Sequence, residues 1–389
     1  MTEIIKNKKL HLHYLDGLRG LAALYVLFVH IEPSMGEELP FWLNLFQLMM
    51  RYGRISVVIF IVLSGYGLML SVVRSQSNYV SGGFIGYIKR RSWRILPAYY
   101  ATIILCIILA TGIRLLENFT TFQWEYIPGS HPFSPYFSFS DLVYHLLLIN
   151  NINSDISGSI NPPLWTVATE WQLYFFFPLL LLPIWRRFGL LTVAISACLI
   201  GLIPLYLLNG LFESASPWFL GVFAIGMAAA EIGFSQKPKL ITFRNSLPWD
   251  KLAIAFTVVA FLTEWRRLGL HIWISEYLFG MATACLFIYC TKLVIDGKKL
   301  PRILQVFEHP LAIALGTFSY SLYLTHGPVL ALVSRFLLSL HIPLTKYAVV
   351  LYVLGVAASL IFAYLFYLVF ERPFMSSFLK RRKVKDAVI

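Results

Sequence analysis

The chain consists mainly of long apolar runs separated by short polar segments. Ten of the runs are long enough to cross a bilayer as α-helices, because about 20 apolar residues span the hydrocarbon core. They are approximately Asp16–Glu32, Ile55–Val73, Ile95–Gly112, Leu164–Leu182, Leu190–Asn209, Ser216–Ala230, Lys251–Glu264, Trp273–Ile295, Ala312–Leu338 and Ala348–Phe370. The shorter stretch Asp141–Asn150 is predicted to lie at the interface or to re-enter the membrane. The pattern therefore predicts an all-α, polytopic bundle of about ten transmembrane helices.

The composition and the charge distribution support a membrane protein. Hydrophobic residues make up 58% of the 389 residues and charged residues only 13%, far from the usage of a soluble domain. With the N-terminus placed inside, most of the 32 Lys and Arg residues fall in inner loops, which predicts that both termini are cytoplasmic. The net charge of +13 is then a topology signal, and we expect the lipid bilayer rather than a nucleic acid as the partner.

We expect a single transmembrane domain over residues 1–389, with short cytoplasmic tails at 1–14 and 374–389. The longest extramembrane stretch, residues 113–163, is external on this topology and rich in aromatic residues. It is predicted to be an ordered cap over a site, with a disordered linker as the alternative. The four cysteines lack metal-ligand spacing, so no metal site is expected.

The first predicted span carries two ionisable residues, Arg19 and His30. Such groups are costly inside a membrane and normally have a partner or a function. Eleven helical steps place them roughly 16 Å apart along the axis and about 20° apart around it, so they share one face. The pair predicts an anion anchor at one end and a proton-transfer group near the other. A packing role is the alternative for His30.

A second cationic group lies at the inner end of the third span. Arg91 and Arg94 are three residues apart and share one helix face. Anchoring to lipid headgroups is the simpler interpretation, but Arg19 at the same inner face favours a phosphorylated ligand. The pantetheine arm of an acyl-coenzyme A reaches about 15 Å, estimated from its chain bonds, which is close to the Arg19–His30 rise.

Glu170 is the predicted partner of His30. It lies about one and a half turns into a helix that starts at the outer face, so it should share the depth of His30. A carboxylate at that depth is costly unless it is paired. An ion pair with a neighbouring arginine is the alternative for Glu170.

Three further polar residues on the ninth span, Tyr320, Tyr323 and His326, form a helical stripe. The stripe is predicted either to line a polar cavity that receives substrate or to pack against other helices. Ser64 is predicted to serve close helix packing together with Gly65, in preference to a nucleophilic role.

Six motifs together resemble the membrane-bound acyltransferase-3 family, bacterial enzymes that O-acylate carbohydrates. They occur in family order over essentially the whole chain: Asp16–Gly20 with Arg19 and His30; Phe60–Gly65; Arg91, Arg94 and Pro97; Trp165, Glu170, Tyr174 and Pro178; Ser319–His326; and Glu371 with Pro373. The resemblance implies ten spans, an acyl-coenzyme A donor, and functional roles at Arg19, His30, Arg91 and Arg94.

Members of this family often carry an additional C-terminal, extracytoplasmic hydrolase-like domain. The present sequence ends at Ile389 without one. We therefore expect a membrane domain that either transfers the acyl group to the acceptor directly or hands it to a separate extracytoplasmic transferase.

These observations predict a multi-pass O-acyltransferase of the inner membrane. It would bind acyl-coenzyme A, with acetyl favoured, through Arg19, Arg91 and Arg94, and acylate a hydroxyl of an extracytoplasmic or lipid-linked carbohydrate. His30, supported by Glu170, would act as general base or as transient acyl carrier. Acyl-coenzyme A is a substrate here, and no permanently bound cofactor is expected. The rival prediction is a transporter or flippase for a polyisoprenoid-linked sugar, in which the same buried charges line a substrate pathway.

Overall fold

The computed structural model describes residues 11–33, 39–75, 78–124 and 133–375. Within these ranges the regular structure is helical. The helices are α1 (His13–Val29), α2 (Phe41–Met50), α3 (Gly53–Ser75), α4 (Gly83–Phe119), α5 (Phe139–Leu146), α6 (Ser154–Ser157), α7 (Leu164–Phe176), α8 (Leu182–Phe188), α9 (Leu190–Tyr206), α10 (Phe219–Phe234), α11 (Pro238–Ser246), α12 (Trp249–Thr263), α13 (Ile272–Ile295), α14 (Pro310–Ser339) and α15 (Leu344–Phe366).

The described helices confirm a polytopic helical membrane protein. Seven of them, some continuing through adjoining turns, are long and apolar enough to cross a bilayer, or eight if the bent pair α11–α12 is one span. The other two predicted spans coincide with α1 and α9, each of 17 residues. Every predicted span thus falls on a helix, whereas the count of ten and the orientation stay predictions.

The boundaries of α4 differ from the prediction. The helix begins at Gly83, twelve residues before the predicted start of the third span at Ile95, and it continues through 37 residues to Phe119. Arg91 and Arg94 are therefore helical, as are the first residues of the predicted external loop. The predicted tails and loop fall partly on residues 1–10, 125–132 and 376–389, which lie outside the described residues.

Helices α1 and α14 run parallel and touch backbone to backbone. A Cβ built on Gly20 would lie 2.4 Å from the carbonyl oxygen of Ala312, and one built on Gly316 would lie 2.1 Å from that of Asp16. No side chain fits at these distances, so glycine permits this close contact between transmembrane helices. The contact fixes the position of α14 along the bundle axis relative to Arg19 and His30.

Helices α3 and α10 also pack closely, as predicted from Ser64 and Gly65. A Cβ on Gly65 would lie 2.1 Å from the carbonyl oxygen of Phe223. The two helices run parallel, because Arg54 lies over the ring of Phe219 at one end and Arg74 over Phe234 at the other. We call the end where α1, α4 and α14 begin the arginine end of the bundle, and the opposite end the distal end.

Candidate active site

A cavity of about 210 Å³ lies between α1, α3, α4, α7 and α14. It brings together most of the residues that the sequence singled out. Its lining includes Arg19, Arg91, Arg94, Glu170, Tyr320 and Tyr323. His30 and His326 are not part of the lining and form a separate pair nearer the distal end.

Arg94 is held by a buried carboxylate. Its Nη1 donates to Oε1 of Glu371 at 2.6 Å, and Oε2 of Glu371 accepts from Oγ of Ser321 at 2.6 Å and from the amide of the same residue at 3.2 Å. Glu371 ends a π-helical turn that continues α15, a feature frequent at functional sites. Both oxygens of the carboxylate are therefore satisfied, and Arg94 has a fixed position at the wall of the cavity.

Arg19 is only partly engaged. Its Nη1 lies 3.3 Å from Oδ1 of Asp16, one turn earlier on α1, and about a third of its side chain is exposed. The close contact between α1 and α14 leaves little freedom to the backbone here. Arg19 thus presents a guanidinium group to the cavity with only one ion-pair partner among the described residues.

Of the three arginines, Arg91 has the most hydrogen-bond donors that remain available to a ligand. It lies over the rings of Tyr174 and Tyr87, at 5.6 and 5.9 Å from their centroids. Its Nε is fully buried without a hydrogen-bond partner, and among the described residues no carboxylate lies within 4.0 Å of it. An unpartnered buried donor is costly. Arg91 therefore suits an anionic ligand that enters this end of the cavity.

Glu170 lies at mid-height in the cavity and accepts two hydrogen bonds. Oγ of Ser64 donates to its Oε1 at 2.8 Å, and the hydroxyl of Tyr174 donates to the same oxygen at 2.7 Å. Ser64 therefore does more than permit close packing, which was the sequence interpretation. Glu170 places a carboxylate between the arginines at one end of the cavity and Tyr323 at the other.

His30 and His326 contact each other directly. Nε2 of His326 lies 3.2 Å from Nδ1 of His30, and the ring centroids are 4.9 Å apart. Nδ1 of His30 also lies 2.8 Å from the carbonyl oxygen of Val26, and Nδ1 of His326 lies 3.0 Å from that of Leu322. Each ring is thus tied to its own helix and to the other ring.

Tyr323 lies between the cavity and the histidine pair. Its hydroxyl accepts from Oγ1 of Thr166 at 2.7 Å, and its ring lies 5.9 Å from that of His326 and 5.8 Å from that of Phe60. The cavity therefore ends one side chain short of His326. Tyr323 separates the two parts of the candidate site.

The predicted contact between His30 and Glu170 is not formed. The hydrogen bond between Thr166 and Tyr323 places these two residues at the same height in the bundle. Glu170 follows Thr166 by four residues, and His326 follows Tyr323 by three. Because α7 and α14 run in opposite directions, Glu170 lies about 10 Å nearer the arginine end than His326. The segment before α7 is buried within the protein at Asn150, Asn151 and Asn161.

Two residues of the site had no role assigned from the sequence. Glu371, which appeared in the sequence only as part of a family motif, holds Arg94 beside the cavity. Thr166 was not singled out, although it lies one turn before Glu170 and bonds the hydroxyl of Tyr323. A carboxylate at the end of an apolar span was the available signal for Glu371, but its partner is 277 positions away in the sequence.

The chain belongs to the acyltransferase-3 family, whose acyltransferase domain matches residues 12–368. It is similar to "Putative O-acetyltransferase SAR0937" of Staphylococcus aureus (strain MRSA252), with 27% identity over 423 residues, covering 99% of this chain and 61% of that protein. It is also 27% identical to "Putative O-acetyltransferase SACOL0978" of strain COL, over 96% of this chain and 59% of that protein. The chain spans about three fifths of the length of these relatives. No solved structure matches it.

Proposed function

We propose that this protein transfers an acyl group, with acetyl favoured, from acyl-coenzyme A to a hydroxyl of an extracytoplasmic or lipid-linked carbohydrate. The observation that carries the proposal is the cavity, which joins Arg19, Arg91 and Arg94 at one end to Tyr323, beneath the histidine pair, at the other. Membership of the family and the names of the relatives support acyl transfer.

The arginine end suits the phosphates of coenzyme A. Guanidinium groups bind phosphate with two parallel hydrogen bonds, and Arg91 has an unpartnered buried Nε. Arg94 is immobilised by Glu371 and Arg19 is partly exposed. A ligand with several phosphate oxygens would satisfy these donors together, which a single lipid phosphate would do less well.

The length of the cavity suits the pantetheine arm. Along α3 its lining extends from Leu68 to Val57, eleven helical steps or roughly 16 Å. An extended arm of about 15 Å would place its thioester near Tyr323. The acyl group would then have to pass this one side chain to reach His30.

The chemistry requires a base and a leaving group. A lone pair of His30 would take the proton from the acceptor hydroxyl, while the hydroxyl oxygen forms a bond to the acyl carbon and the carbon–sulfur bond breaks. The coenzyme A thiolate leaves and takes up a proton, so that an ester and a free thiol are formed. Direct transfer needs no covalent enzyme intermediate, and we favour it over an acyl-histidine relay.

We further propose that the arginine end faces the cytoplasm and that the protein resides in the inner membrane of a bacterium. The excess of Lys and Arg in the loops on that side supports the orientation. Coenzyme A is then bound from the cytoplasm, and the acceptor meets the histidine pair from the outside.

The experiment is an assay of the detergent-purified protein with radiolabelled acetyl-coenzyme A and extracted cell-surface glycans. We expect label in glycan and release of coenzyme A thiol, both lost in His30→Ala, because acid–base catalysis commonly contributes at least about a hundredfold. The exposed His341→Asn is the matched control and should stay active. A transporter would leave acetyl-coenzyme A intact and instead move a polyisoprenoid-linked sugar across proteoliposomes, which would overturn the proposal.

A further inference from the structure

The hydrogen bonds around His326 define which of its nitrogens carries a proton. Nδ1 lies 3.0 Å from the carbonyl oxygen of Leu322. A carbonyl oxygen only accepts, so Nδ1 must be the donor. In the neutral ring Nε2 then has a lone pair, and this atom lies 3.2 Å from Nδ1 of His30. His326 is therefore an acceptor toward His30.

The same argument applies to His30. Its Nδ1 lies 2.8 Å from the carbonyl oxygen of Val26, so this nitrogen also carries the proton, which it shares between Val26 and Nε2 of His326. Nε2 of His30 is left with the lone pair. It has no hydrogen-bond partner among the described residues, and it is not one of the fully buried unpartnered atoms. It is therefore open to an incoming hydroxyl.

We propose that His326 is a positioning residue for His30, which holds the tautomer in which Nε2 of His30 is the proton acceptor. This inference rests on the proposed function. When Nε2 takes the hydroxyl proton, His30 becomes a cation whose Nδ1–H remains shared between Val26 and His326. A third group that orients the base in this way is the general arrangement of nucleophile–base–acceptor catalytic sites.

A histidine is suited to this position for an electrostatic reason. His326 is 1% exposed, and a carboxylate buried there would carry a charge through the whole catalytic cycle at high cost. A neutral imidazole offers a lone pair without a permanent charge. The second acceptor, the carbonyl of Val26, is likewise neutral. This explains how the site works without the carboxylate that the sequence assigned to His30.

The experiment compares three substitutions of His326 in the full-length, detergent-purified protein. His326→Phe keeps the ring but removes the acceptor, His326→Ala removes both, and His326→Gln places an amide oxygen near the position of Nε2. We expect His326→Phe and His326→Ala to lower kcat for acetyl transfer at least about a hundredfold with little change in the KM for acetyl-coenzyme A. His326→Gln should recover a large part of that loss. A residue that only packs would be replaced better by Phe than by Gln, and that order would overturn the proposal.

A second measurement is made on the wild-type protein, and a variant is needed only to assign the signals. The nitrogen-15 resonances of the imidazole rings report which nitrogen carries the proton, and His30→Gln identifies those of His30. We expect the Nδ1–H tautomer for His30 in the wild-type protein, and an Nε2–H tautomer would overturn the proposal. Full activity of His326→Phe with an inactive His30→Ala would also overturn it while the proposed function stands. An active His30→Ala would instead refute the role of His30 itself.

Discussion

Arg91 and Arg94 lie three residues apart on α4 but have different surroundings. Arg94 is neutralised by buried Glu371 at 2.6 Å, whereas Arg91 lies against two tyrosine rings with a free Nε. The difference suggests a division of roles. Glu371 holds Arg94 in a fixed position at the wall of the cavity. Arg91 is the group that a ligand anion would contact first.

We expect Arg91→Lys to weaken binding of coenzyme A almost as much as Arg91→Ala does, because an ammonium group cannot reproduce the planar fork of guanidinium. The loss should be roughly tenfold or more, about 1.5 kcal/mol for one charge-assisted hydrogen bond. Isothermal titration of the purified protein with coenzyme A measures it. Lys89→Ala is the charge-matched control, since Lys89 is an exposed residue on the same helix. Affinities of Arg91→Ala and Lys89→Ala that are both near wild type would leave Arg91 only a role in topology.

We expect Glu371→Ala to destabilise the protein by about 3 kcal/mol, because removal of one partner leaves a partly buried charge uncompensated. The thermal midpoint of the detergent-solubilised protein, compared with wild type, measures the effect. The control is Glu213→Ala, which removes an exposed carboxylate paired with His271 and should cost at most about 1 kcal/mol. Identical midpoints for the two variants would contradict the structural role assigned to Glu371.

At the scale of elements, the pair α1–α14 organises the site. Helix α1 carries Arg19 and His30, and α14 carries Tyr323 and His326, so both ends of the proposed reaction path depend on this one contact. Parallel packing through Gly20 and Gly316 sets the register of the two helices. A shift of one helix by a single turn would move His30 away from His326 by about 5 Å.

Gly316→Ala tests this register. The added methyl group would lie 2.1 Å from the carbonyl oxygen of Asp16, so the two backbones must separate, and overpacking of this kind costs about 1–3 kcal/mol. We expect a lower thermal midpoint and a loss of acetyl transfer. Gly112→Ala is the matched control, because that helical position has open space around it and alanine favours a helix. A Gly316→Ala variant as stable and active as Gly112→Ala would show that the contact is looser than described.

At the scale of the whole molecule, hydropathy predicted which segments are helical, because burial in lipid dominates their energetics. It did not predict the ends of α4, since a helix continues beyond the apolar core whenever its backbone bonds can form. The proximity of Arg19, Arg91 and Arg94 was predicted from their common position at the inner face of the membrane. The position of Glu170 relative to His30 was not, because it depends on the register of α7 against α14, which contacts such as that between Thr166 and Tyr323 set.

We propose that one cavity holds the donor from its phosphates to its acyl group. A cryo-electron microscopy structure of the protein with a non-hydrolysable acetyl-coenzyme A analogue would show where the donor lies. We predict phosphate density within hydrogen-bond distance of Arg91 and of Arg19 or Arg94, with the pantetheine arm passing Glu170 and the acyl end against Tyr323. Phosphates bound away from the arginines, or an arm that lies on the membrane surface outside the cavity, would show that the cavity is not the donor site.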